Sequence, residues 1–221
     1  MAEGRAATTI EGVAPGTAPA LSPDDQPAAR RGEGPFVERV VSFTPGAGAG
    51  FGSESMPWVV LGGPRGEGAL RGSTDVVSLG AGGSIVLAFD ALPIVDGEGA
   101  DFTVFENAFR YGPGQSRTYA EFAQVFVSDD GATWLPFPCD RVSGAGCAGR
   151  LPVYANVEAN ALSCLEPLVS GGDVFDLADV GLRTARFLRI EDRETFAPVD
   201  GDGKAGFDLD AVAAIHRAAA P

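Results

Sequence analysis

Long apolar runs are missing from this chain of 221 residues. No stretch approaches the ~20 apolar residues that a membrane-spanning helix needs, so no membrane insertion is expected. Basic residues are scarce as well: 16 Lys and Arg stand against 30 Asp and Glu, for a formal net charge of −14. Phosphate binding requires a basic surface, so nucleic acid is not an expected partner. Histidine occurs once, as His216. With no Ser-His-Asp order and no GxSxG elbow, the usual hydrolase machinery is lacking. Cysteine occurs three times, at Cys139, Cys147 and Cys164, and shows no CxxC pair or Cys/His spacing of the zinc kind. The Gly-rich stretch around "GAGAGFGSESMP" has no following Lys-Ser/Thr and helix, which a phosphate-cradling loop would need. The start, "MAEGRAATTIEG", has no charged residues followed by an apolar core, which read literally points to the cytoplasm.

What is present is a β pattern. Hydrophobic residues make up 45% of the chain, enough for a core, and 31 Gly with 16 Pro punctuate it. Residues 1–35 are rich in Ala, Gly, Pro and polar groups without periodicity and read as a flexible, disordered tail or linker. Residues 36–217 read as a single all-β domain. "FVERVVSF" (36–43) opens it, and "DVVSLG" (75–80) and "SIVLAF" (84–89) around "AGG" read as a hairpin. "EFAQVFVS" (121–128) and "ATWLPF" (132–137) around "DDG" read as another. "DVFDLADVGL" (173–182) looks like one helical turn, and "ARFLRIED" (185–192) and "GFDLDAVAAIH" (206–216) read as strands. Short strands separated by turn signals predict a sandwich or barrel. Cys139 and Cys147 flank a Gly-containing loop that predicts a disulfide, with Cys164 free; so short a loop contributes about 2–3 kcal/mol.

Carboxylates recur at strand ends. Residues two apart share a face. Glu106 therefore follows Phe102 and Val104, Glu121 precedes Ala123, Val125 and Val127, and Asp192 follows Leu188 and Ile190. Asp208 and Asp210 share a face of the last strand. An isolated ionised carboxylate at a core must be paired, protonated or bound to metal. Bases are outnumbered nearly two to one, so a hard cation fits better than Arg186 or Arg189. Calcium accepts carboxylate, amide and carbonyl oxygens, and Asn107 adds an amide. The expected ligand set for one structural Ca²⁺ is Glu106, Asn107, Glu121, Asp192, Asp208 and Asp210, with Asp96 and Asp101 peripheral. "DGDGKAGFDLD" (200–210) starts like an EF-hand loop at Asp200 and Asp202, but lacks the Glu at the twelfth position.

The strings "DFTVFENAF", "EFAQVFVS", "VFVSDDGATW", "ARFLRI" and "GFDLDAV" resemble a bacterial secreted "cell surface protein" family with a discoidin-like, galactose-binding-type jelly roll. The similarity spans roughly residues 36–217. It implies a jelly-roll β-sandwich, an extracellular or cell-surface location, and a non-catalytic module that binds a surface glycan or another extracellular ligand, or only spaces other domains. Within that frame, Tyr111 and Tyr119 in "FRYGPGQSRTYAEF" are the ligand-facing candidates, and Trp134 is expected in the core. Glu106 and Glu121 are in principle a glycosidase pair, but their apolar rows suit a structural ion better. His216 is expected at the surface or on an edge strand.

Overall fold

The computed structural model describes residues 34–140, 142–192 and 206–219. The expected tail at 1–35 lies outside them up to residue 33, as do Asp200 and Asp202. Strands run in chain order as β1 (Arg39–Thr44), β2 (Val77–Ser78), β3 (Ser84–Ala88), β4 (Ile94–Val95), β5 (Phe102–Phe105), β6 (Phe109–Tyr111) and β7 (Arg117–Tyr119). They continue as β8 (Ala123–Ser128), β9 (Leu135–Pro136), β10 (Asp173–Phe175), β11 (Thr184–Ala185), β12 (Phe187–Asp192), β13 (Asp208–Leu209) and β14 (Ala211–Ala214). The only α-helix among the described residues is one turn, Pro167–Ser170. The all-β expectation is met.

Two antiparallel sheets organise the molecule. The larger has the order β1-β3-β12-β8-β9 and the smaller the order β10-β5-β14. Alternation decides what each contributes. Ile85 and Leu87, Val125 and Val127, and Leu188 and Ile190 point from the larger sheet into one core. Phe102 and Val104, Phe175, Val212 and Ala214 meet them from the smaller sheet, giving a sandwich-like arrangement. Phe102 packs between Phe175 and Phe137, with ring centroids 5.1 and 5.8 Å away. β5 is buried on both faces, because Phe105 packs on its reverse side with Val153, Ala155 and Cys164. The irregular segment 150–166 thus covers what alternation alone would leave exposed.

The hairpin expected at residues 75–89 is corrected. β2 pairs with β13, whereas β3 lies between β1 and β12. The glycine turn is real, with Gly83 N–H donating to the Gly80 carbonyl, but it passes the chain from one sheet to another. The β8–β9 hairpin forms as expected, Val127 opposite Leu135. Residues 173–182 split into β10 and a 3₁₀ turn at Leu177–Val180, where the Asp176 side chain accepts the Ala178 N–H. Cys139 and Cys147 are disulfide-bonded and Cys164 is a buried free thiol. The disulfide belongs to a small cluster of its own with Ala108, Ala120 and Phe122.

Candidate functional site

Carboxylates from four segments gather where the strands end. Glu106 follows β5, Glu121 precedes β8, Asp192 ends β12 and Asp208 opens β13. Glu106, Glu121 and Asp192 are buried. The group is knit by charge. Burial first, then the charge of Asp208, then that of Glu121, hold the Glu106 carboxyl well above its ordinary range. Burial and then Asp208 push Glu121 up to about 8, with Asp192 adding to the effect. Burial raises Asp192 to about 6, again helped by Asp208. Asp208 is itself raised by burial, against hydrogen bonds from Ser78 and Asn107. Desolvation and mutual repulsion act in the same direction in this group.

The hydrogen bonding is incomplete. Asn107 Nδ2 donates to Asp208 Oδ2 at 3.4 Å, which leaves Asn107 Oδ1 buried with no partner. Glu106 Oε2 and Glu121 Oε2 are likewise buried and unpartnered. Asp192 Oδ2 accepts the Phe207 N–H at 2.8 Å, and the Tyr119 hydroxyl donates to Glu121. Two glycines wall the space: a Cβ at Gly72 would lie 2.4 Å from Asn107 Oδ1, and one at Gly206 2.5 Å from Asp192 Oδ2. Buried oxygens with no donor are costly, and they are what a cation accepts. The donor set is all oxygen, which suits a hard cation such as calcium.

Asp210 stands apart from this group. Between β13 and β14 its carboxylate turns to the Arg65 N–H, at 2.9 and 3.2 Å, so it does not share the surroundings of Asp208 as unbroken alternation would have it. The cationic rivals are also elsewhere. Arg189 Nε lies 3.0 Å from Glu191 Oε1, with its guanidinium over Phe126 and Trp134. Arg186 acts on Asp90. Among the described residues no Arg or Lys pairs with Glu106, Glu121, Asp192 or Asp208.

A second acidic group is tighter but differently satisfied. Asp96, Asp101 and Asp176 bring oxygens within 4.8 Å of one another, closer than the Glu106 group among the described residues. Asp101, fully buried, accepts the N–H of Gly97 at 2.8 Å and of Leu177 at 2.7 Å, and pairs with His216 Nδ1 at 2.8 Å. Asp176 accepts from Ala178. Asp101 and Asp176 are held by donors already present, so proximity alone does not make the group a cation site. The two groups differ: one is compact with its buried member satisfied, the other looser with buried oxygens unsatisfied. His216 is half-buried against Asp101, a partnership across 115 residues that no local sequence signal announces.

The aromatic candidates divide. Tyr119 stacks on Phe109 at 5.3 Å and belongs to the acidic group through its hydroxyl. Tyr111 is half-buried on β6, 6.5 Å from Phe109. Trp134 is half-buried under Arg189 instead of sitting in the core, because it precedes β9 at the edge of the larger sheet. No family model and no curated protein matches this chain.

Proposed function

We propose that the protein is a non-catalytic module stabilised by one calcium ion, which Glu106, Asn107, Glu121, Asp192 and Asp208 bind with backbone carbonyls completing the shell. One observation carries the reading: three buried oxygens without partners, Glu106 Oε2, Asn107 Oδ1 and Glu121 Oε2, in a group of acids without a counter-cation among the described residues. Calcium takes roughly six to eight oxygens in irregular geometry, which suits ligands drawn from several strand ends. Binding pulls the carboxylates closer than they stand without the ion. The ion acts in folding, not chemistry: a ligand of the folded form alone stabilises it by about 2.7 kcal/mol at a hundredfold excess over Kd.

The sandwich-like sheets, the resemblance noted above and the disulfide fit a secreted, discoidin-like jelly roll at the cell surface. Its favoured ligand is a surface glycan. A spacer role is the second reading, favoured by Tyr119, whose ring and hydroxyl are already engaged inside the protein. Glycan-array binding by the folded protein supports the first reading, and a blank array the second. The calcium test is a thermal melt in EDTA and again with calcium added, repeated for Asp208→Asn. Calcium is expected to raise the wild-type midpoint by several degrees and the variant's by far less. A wild-type midpoint indifferent to both reagents sinks the proposal.

A further inference from the structure

The hairpin of β6 and β7 enters and leaves the molecule through the cation group. Glu106 and Asn107 precede Phe109 by three and two residues, and Tyr119 closes β7 two residues before Glu121. Between those stems the ribbon has little support. Among the described residues β6 and β7 pair only with each other, and residues 112–117 are exposed. A two-stranded hairpin by itself is marginal in water. Its aids include the Phe109–Tyr119 stack, a bond from Arg110 N–H to the Ala69 carbonyl at 2.6 Å, and the buried Ala108 and Ala120 beside the disulfide at its base.

Without an ion, the two stems leave Glu106 Oε2 and Glu121 Oε2 buried and unpartnered. A divalent cation between them gives both oxygens a partner and joins the stems. Asp192 and Asp208 belong to other strands, so the same ion also ties the stems to the body of the fold. We infer that calcium clamps this hairpin: occupancy of the site holds the β6–β7 ribbon closed and docked, and loss of the ion releases it while the two main sheets stay folded. The inference rests on the calcium reading above and adds to it a local switch on the β6–β7 ribbon. Opening of the hairpin separates Glu106 from Glu121 and so expels the ion. Local opening is then linked to calcium, and only segments whose opening breaks the site gain protection.

Amide hydrogen exchange of the full chain, in EDTA and in calcium chloride, tests this. Amides of residues 108–120 are expected to slow by about tenfold or more with calcium, while those of β3, which unfold only globally, slow by no more than the change in global stability. Brief trypsin digestion gives an independent reading, with cleavage after Arg110 and Arg117 suppressed by calcium and cleavage after exposed Arg183 unchanged. Asp208→Asn leaves the hairpin sequence intact and is expected to abolish both effects. If that variant does not fold, the wild-type comparison decides alone. A raised melting midpoint with unchanged hairpin exchange overturns the clamp and leaves the calcium site standing. Equal slowing of all segments also overturns the clamp, since it reports only global stabilisation. No calcium effect on either measurement ends both.

Discussion

Asp101 shows what the fold does with a buried carboxylate when donors are at hand. Two backbone N–H groups and the His216 ring converge on it, so the charge is held by the chain itself and ties the Gly97 loop, the 3₁₀ turn and the C-terminal segment together. Replacing one oxygen by an amide leaves a donor facing a donor. Asp101→Asn is expected to lower stability by about 2–3 kcal/mol, since charged hydrogen bonds are the strong ones and unmade ones are costly. Urea unfolding in EDTA reads it directly. A loss under ~0.5 kcal/mol would show that these bonds are replaceable by water. The contrast with Glu106 is the point: its orphaned oxygen lies in a group where acids face acids.

At the scale of elements, the strand-end carboxylates were legible because alternation is local. Glu106, Glu121 and Asp192 each end or begin an apolar row, and each is buried with the row it caps. What alternation cannot supply is the neighbour. β2 chooses β13 over the nearby β3, and Asp210 meets Arg65 across 145 residues; both depend on chain routing that period-two patterning does not contain. Gly72 illustrates the same limit. It lies in the irregular segment before β2, and nothing around it marks a site, yet it leaves room for Asn107. An alanine there meets the tip of a side chain, which can swing aside. Gly72→Ala is therefore expected to cost under ~1 kcal/mol of stability in EDTA, yet to weaken calcium binding about tenfold by displacing Asn107 Oδ1. Calorimetric titration with calcium checks it. Unchanged affinity would remove Asn107 from the ligand set.

For the whole molecule the governing quantity is charge. A net −14 is self-repelling, and part of it is concentrated in buried groups whose acidity is altered in the direction that favours protonation. Asp173 and Asp192 are raised to about 6 and Glu121 to about 8, burial being the first cause in each. Their unfolded values are the ordinary ones near ~4. Between those limits the folded chain without metal holds more protons than the unfolded chain, so its stability falls as pH rises from about 4 through about 8. Exposed Asp130 acts in the other direction: backbone bonds from Thr133 and Ala132 lower it to about 2, so its stabilisation is present above ~4 and is lost as pH falls toward 2. Calcium requires the deprotonated carboxylates and releases their protons on binding, so it binds more tightly as pH rises. Melting midpoints in EDTA are expected to decline from pH 5 to pH 8, and those in calcium to hold. The calcium increment, small at pH 5, should widen steadily toward pH 8. An increment that is the same at every pH would mean that no proton leaves on binding, and the ion would then have to sit on groups other than Glu106, Glu121 and Asp192.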